Sequence, residues 1–312
     1  MTHRSKDPSD WNILSDLWQT AVMVSHAKDS PEISTVPLRP HSPAKNPVVT
    51  AHSLTKIYGS GDNDVVALND IFVSIARARF TAIMGPSGSG KSTLMHCLAG
   101  LESATSGSIN LDGQEITSMN ERQLTRLRRE RIGFIFQSFN LLPSLTVEEN
   151  ITLPIDIARK SVDFRHLSQI VKAVGLSNRL SHRPAELSGG QVQRTACARS
   201  FMGRPSVIFA DEPTGNLDSR ATMQILRILR SSVDHFGQSV VMVTHEPEAA
   251  ACADTVLFLR DGRLAAQLDK PDRDSVLIAL HALSSPIAME VPEFHSKHRI
   301  YNTSKPTLGV SL

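Results

Sequence analysis

The stretch 85-GPSGSGKST-93 follows the short apolar run 80-FTAIM-84 and leads into the pattern 93-TLMHCLAGL-101. Four apolar residues and one threonine, ended by glycine, read as a buried strand, and the apolar spacing behind Lys91 reads as a helix. The chain therefore turns from strand to helix through a loop nearly bare of side chains. Gly85, Gly90, Lys91 and Ser92 fit G-x-x-x-x-G-K-[ST], with Pro86, Ser87, Gly88, Ser89 and Thr93 completing the loop. In such a loop the glycines let backbone N–H groups close around phosphate oxygens, and the helix behind presents its positive N-terminal end. Lys91 reaches the β and γ phosphates, and the Ser92 hydroxyl is available to Mg²⁺. A nucleoside triphosphate meets all of these demands. An ordinary glycine-rich turn is the competing reading, and the strand before and helix after weigh against it.

A triphosphate site of this kind needs a carboxylate at the end of a neighbouring strand, and 207-VIFADE-212 supplies one. Asp211 would complete the Mg²⁺ shell, and Glu212 would polarise a water for in-line attack on the γ phosphate. A second glycine-flanked anion cradle stands at 187-LSGGQ-191, again before a helical pattern, 192-VQRTACARSF-201. One nucleotide does not need two such cradles. Two copies meeting head to tail would use both, with Ser188, Gly189, Gly190 and Gln191 of one capping the triphosphate held by the other.

The remaining composition restricts the classes of function. Of 312 residues, 33 are Lys or Arg and 31 Asp or Glu, so no global charge favours nucleic acid or an anionic membrane. Cys97, Cys197 and Cys252 lie far apart, which suggests neither a disulfide framework nor a zinc site. No stretch approaches the roughly 20 apolar residues of a spanning helix, so the chain is read as neither exported nor membrane-spanning by itself. Residues 27 to 47 are rich in proline, serine and charge and read as a linker. Before them, 9-SDWNILSDLWQTAVMVSH-26 spaces Trp11, Leu14, Trp18, Ala21 and Ser25 as in a short amphipathic helix. It suits docking to a partner or a membrane surface, or it is a loose extension with Met23 as an alternative initiator.

From residue 48 to about 268 strands and helices alternate. Short β-branched runs at 80–84, 206–211 and 239–244 predict an α/β fold with a largely parallel central sheet. Asp-Gly within 256-VLFLRDGRL-264 predicts a hairpin, and 274-DSVLIALHAL-283 a helix before a polar tail. No internal repeat is seen, so a single copy of the domain is expected.

The order GPSGSGKST, FQSFNLLPSLTVEENI, LSGGQVQR, IFADEPTGNLDS, VTHE resembles the ATP-binding cassette subunit of ABC transporters. The resemblance is strongest to the branch of macrolide-exporter, lipoprotein-release and cell-division ATPases. It implies a P-loop ATPase core over 48–268, with an antiparallel β subdomain and a helical subdomain at approximately 138–200. It also assigns further roles: Tyr58 in 54-LTKIYGSG-61 stacks on adenine, Gln137 joins the Mg²⁺ and water network, His245 contacts the γ phosphate, and Asp218 communicates across the dimer. A separate integral-membrane permease is implied as partner, received around residues 137 to 154, which would hold the homodimer at the cytoplasmic face of the membrane. Two departures concern packing: 75-IARARF-80 lacks the glycine relatives carry at this turn, and Thr195, Cys197 and Ser200 replace aliphatic residues. An alternative is a soluble ABC-type ATPase acting on nucleic acid or ribosomes, supported by the basic run at 126–131. The interleaved Glu130 and nearby Glu121 favour a solvated helix face, so no nucleic acid is expected. A non-hydrolysing regulator is opposed by the presence of Glu212, Gln137 and His245.

Overall fold

The structure, a computed structural model, describes residues 41–59 and 63–284. The amphipathic segment expected at 9–26, most of the linker, and the polar tail after residue 284 lie outside the described residues.

Two sheets are layered on each other. Strands β1 (Pro47–Tyr58) and β2 (Val65–Ala76) pair antiparallel, and β4 (Ser106–Leu111) and β5 (Gln114–Glu115) extend the sheet in the order β2-β1-β4-β5. The second sheet has the order β10-β9-β3-β8-β7-β6, from β3 (Phe80–Met84), β6 (Ile132–Ile135), β7 (Val207–Asp211), β8 (Ser239–Val243), β9 (Thr255–Arg260) and β10 (Arg263–Asp269). All its pairings are parallel except the β9/β10 hairpin.

Period-2 alternation divides each central strand between two cores. Ile83, Phe209, Val241, Val243 and Leu257 face the antiparallel sheet, where they meet Leu94, Met95 and Leu98 of α1 (Lys91–Leu98). Phe80, Ala82, Met84, Ile208, Ala210, Val240 and Met242 face the other way, onto Ile225, Leu226 and Leu229 of α6 (Ser219–Phe236). Burial on both faces is why these runs are continuously apolar.

A third core lies among α3 (Val147–Ile157), α4 (Phe164–Ala173) and α5 (Gly189–Met202), built on Val147, Ile151, Leu167, Ile170, Ala198 and Met202. Helix α5 also gives Cys197 to the second core and so joins the helical group to the sheet. Helix α2 (Glu121–Arg131) carries the basic run, whose Arg126, Arg128 and Arg131 ion-pair with Glu130, Glu121 and Asp112. Among the described residues no helix is long and apolar enough to cross a membrane.

Contacts of the folded unit continue past residues 48 and 268 at both ends. His41 bonds Gln267 through Nδ1 at 2.6 Å and accepts from the Ser74 backbone N–H through Nε2 at 2.8 Å. At the other end α7 (Arg273–Ser284) buries Val276 and Ala279 in the second core. These contacts are long-range, so a composition shift along the chain does not reveal them.

The missing glycine in IARARF has a structural counterpart: Ala78 takes up the turn at φ 53, the left-handed region. The hydroxyls of Thr195 and Ser200 in α5 are satisfied locally, Thr195 donating to the Gln191 carbonyl at 2.9 Å and Ser200 to that of Cys197 at 2.7 Å.

Candidate functional site

Parallel pairing brings the C-terminal ends of β3, β7 and β8 to one edge, with Ile83 beside Val243 and Asp211 beside Val243. Loops leaving that edge are where open α/β sheets collect their functional groups. The loop 85–90 lies there, entering α1 through positive φ at Gly85 (152°), Gly88 (78°) and Gly90 (97°). Two of the glycines are also demanded by packing. A Cβ at Gly85 would stand 2.1 Å from the Leu259 carbonyl oxygen, and one at Gly90 2.4 Å from that of Ala67; around Gly88 there is open space.

Lys91 is held back along the loop, its Nζ donating to the carbonyls of Gly85 (3.0 Å) and Pro86 (2.8 Å). Burial draws its pKa below the ordinary lysine value, and the carboxylates of Glu212 and Asp211 oppose that shift. The Ser89 hydroxyl, in the same loop, is buried without a hydrogen-bond partner. An orphan donor at a helix N-terminus is what a phosphate oxygen satisfies.

Ser92 Oγ donates to Asp211 Oδ1 at 3.2 Å, so helix and strand end share one polar contact. A hydroxyl and one carboxylate make a sparse set of hard oxygen donors. Such a set suits Mg²⁺ arriving on a phosphate, since that ion keeps most of its shell from water and substrate. Glu212 stands at φ 43, a conformation fixed by its N–H donating to the Val243 carbonyl and by its own carbonyl accepting from Gly215 N–H. Its Oε1 meets His245 Nδ1 at 3.1 Å. Gln137 closes the group: its backbone carbonyl accepts from Asn216 Nδ2 at 3.1 Å, and its side-chain Nε2 would lie 2.9 Å from a Cβ placed on Gly215.

Tyr58 is 38% exposed, with its hydroxyl 3.4 Å from Thr93 Oγ1 and the Lys56 ammonium 4.9 Å from its ring centroid. Lys91, Ser92, Asp211, Glu212, Gln137 and His245 thus converge, and Tyr58 reaches the loop through Thr93.

The segment 188–191 does not join them. Ser188 caps α5 in a reciprocal box, accepting from Gln191 N–H at 3.4 Å while its own N–H donates to Gln191 Oε1 at 2.8 Å. Gly190 packs against α6, where a Cβ would come 3.0 Å from that of Ala221. Asp218 caps α6 through the Ala221 N–H at 2.7 Å. Among the described residues no hydrogen bond links 188–191 to 85–93.

Sequence reasoning missed three supporting residues. His96 Nε2 lies 3.6 Å from Asp211 Oδ2, and that contact pushes the imidazole pKa up against the effect of burial. Its place four residues after Ser92, on the same helix face, was the available signal. Gln193 donates from α5 to the Pro213 carbonyl at 2.6 Å and ties the 188–191 helix to the loop carrying Glu212. Asn216 holds Gln137, and no local pattern announces either contact.

Comparison with known proteins gives one family. Residues 68–215 match the ABC transporter family. The macrolide export ATP-binding/permease protein MacB of Bdellovibrio bacteriovorus is 46% identical over 215 residues, which is 69% of this chain and 33% of that protein. The chain therefore spans about a third of that relative's length. The bacitracin export ATP-binding protein BceA of Halalkalibacterium halodurans is 40% identical over 228 residues, 72% of this chain and 90% of that one. A dimeric post-hydrolysis structure of the ATP-binding cassette MJ0796 with ADP and Pi superimposes with a TM-score of 0.66 at 34% identity, covering 72% of this chain and 99% of the other.

Proposed function

Because the chain belongs to the ABC transporter family, as one of its ATPases, we propose that it hydrolyses ATP between two copies of itself and drives a separate membrane permease in an export-type system. The observation that carries the reading is the convergence of Lys91, Ser92, Asp211, Glu212 and His245 at one sheet edge. The backbone N–H groups of 86–92 bind the phosphates, Lys91 leaves its two carbonyl partners for the β and γ oxygens, and Tyr58 stacks on the adenine. Ser92, Asp211 and Gln137 would hold Mg²⁺, whose charge would offset that developing on the transferred phosphoryl group. Glu212 takes the proton of the attacking water, and His245, hydrogen-bonded to it, orients the carboxylate and contacts the γ phosphate.

The second cradle supports a two-copy site. Ser188, Gly189, Gly190 and Gln191 are built as a capped helix start yet make no bond to their own chain's phosphate loop, which leaves them for the phosphate bound by a partner copy. Asp218, capping the helix that packs under Gly190, would carry changes at that contact to the loop of Glu212. The permease would be received at residues 137 to 154, placing the ATPase at the cytoplasmic face of the membrane. MacB carries export permease and ATP-binding functions under one name and BceA is an export ATP-binding protein, and both support the direction of transport.

Replacing Glu212 by Gln keeps the shape and removes the base. ATP turnover should fall by at least about a hundredfold, while a dimer stable in ATP accumulates in sedimentation. Turnover at the parent rate would show that Glu212 is not the base. Recovery of a membrane permease with the tagged chain tests the partner, and salt-sensitive capture of RNA or DNA instead would favour the soluble alternative.

A further inference from the structure

A cleft of about 930 Å³ opens between α4 and α5 on one side and the C-terminal end of α6 on the other. It is bordered by Pro205 and Ser206, just before β7, and by Ser239 at the start of β8. The phosphate loop lies beyond the opposite ends of these strands, five residues or roughly 17 Å away. The cleft is therefore not part of the nucleotide site.

Its lining has one sign of charge. Arg77, His166, Lys172, Arg194, Arg204 and Arg227 border it, and no carboxylate does. Arg77 and Arg204 are paired outside the cleft, to Asp112 and Asp163. Arg194 is half-buried, donates to the neutral Gln224 Oε1 at 2.6 Å, and keeps a buried Nε without a partner. Burial lowers its pKa, with no carboxylate opposing. The floor is apolar, from Ile170, Val174, Phe201, Ile228 and the half-exposed Phe236. An occupant complementary to this lining is amphipathic and acidic.

The chain contains one such segment outside the described residues. Between 7 and 24, 7-DPSDWNILSDLWQTAVMV-24 carries Asp7, Asp10 and Asp16, no Lys or Arg, and Trp11, Leu14 and Trp18 at helical spacing. The tail after residue 284, by contrast, mixes Glu290 and Glu293 with Lys297, Arg299 and Lys305. The described chain passes one border of the cleft close to its start: the Asn46 carbonyl accepts from the N–H of Arg77, a lining residue, at 2.9 Å. Fifteen residues separate Ser25 from His41, enough to span about 50 Å when extended.

We propose that residues 7–24 dock in cis into this cleft, with Trp11, Leu14 and Trp18 on its apolar floor and the three aspartates against its arginines and lysine. Docking bridges α4 and α5 to α6, and so joins the helix capped by Ser188 to the one capped by Asp218. It requires no nucleotide, so its failure would leave the reading of the phosphate site untouched.

Trp11 and Trp18 are the only two tryptophans of the chain, so the fluorescence of the full-length protein reports this segment alone. In the full chain their emission should be blue-shifted, and their acrylamide quenching several-fold weaker, than in a peptide of residues 7–25. Lys172→Glu with Arg227→Glu, both at exposed positions, should reduce docking about tenfold, as two rim ion pairs would. The triple neutralisation Asp7→Asn, Asp10→Asn, Asp16→Asn, outside the packed core, should act likewise. Arg122→Glu, on the exposed face of α2, should change nothing. The proposal is overturned if the tryptophans of the full chain behave as in the peptide, or if they are shielded but indifferent to both sets of variants. It is equally overturned if shielding rises with protein concentration, which would place the segment on a second copy, or arises only with phosphatidylethanolamine/phosphatidylglycerol vesicles, which would make it a membrane anchor.

Discussion

At the scale of single residues, the glycines of the phosphate loop answer to two different demands. Gly85 is enclosed by the Leu259 carbonyl, a backbone atom that cannot yield, whereas Gly88 stands free at φ 78. Gly85→Ala should therefore destabilise the fold by about 3 kcal/mol or more, from clash and backbone strain together. Gly88→Ala should cost only about 1 kcal/mol. Denaturant unfolding of the two variants separates them, and equal losses would remove the packing demand at Gly85. The thiols are similarly graded by burial, which pushes Cys97 up to about 11 and Cys197 to about 12. Both stay protonated and enclosed at pH 8, so a thiol reagent should modify only the partly exposed Cys252 in the native protein, and all three after unfolding. Rapid labelling of Cys97 or Cys197 in the folded chain would contradict this. The loop motif was legible because its residues are contiguous. The second demand on Gly85 was not, because Leu259 lies far along the chain.

At the scale of elements, one carboxylate holds several of them together. Asp112, in the turn between β4 and β5, accepts from Arg77 after β2, from Arg131 at the end of α2 (2.9 Å) and from the Ser206 hydroxyl before β7 (2.7 Å). Burial alone would raise its pKa, but the bonds from Ser206 and Arg77 outweigh it and hold the carboxyl below the usual aspartate range. A carboxyl depressed in the folded state stabilises above its unfolded pKa, near 4, and the benefit disappears as pH falls through the folded value. Asp112→Asn should lower stability by about 1–2 kcal/mol at pH 7 and lose less than the parent between pH 4 and 2. A parallel acid response in the two proteins would show that Asp112 is not responsible. Short β-branched runs announced the central strands, and apolar helical spacing announced the helix behind Lys91. The assembly of four elements on Asp112 is tertiary and left no periodic trace.

At the scale of the whole molecule, the two glycine-flanked cradles stand apart: 85–93 converges with the carboxylates, and 188–191 opens α5 with no hydrogen bond to that loop among the described residues. Ser188→Ala removes both the helix cap and the hydroxyl offered to a partner's phosphate. It should cost about 1 kcal/mol of stability, leave ATP binding by the single chain near the parent value, and abolish the ATP-dependent dimer of a Glu212→Gln background in sedimentation. A dimer that survived would place the contact elsewhere. The sequence by itself determined the phosphate loop, the Asp-Glu strand end, the helix opened by LSGGQ and the α/β class, since each rests on adjacent residues or on a short period. Only the tertiary structure decided which of these meet. It joined Ser92 to Asp211 and Glu212 to His245, kept 188–191 apart from them, extended the folded unit at both ends, and gathered a cationic cleft from three helices. The physical reason is that local propensity and pattern are settled within a few residues, while contacts between distant segments depend on how the sheet orders its strands.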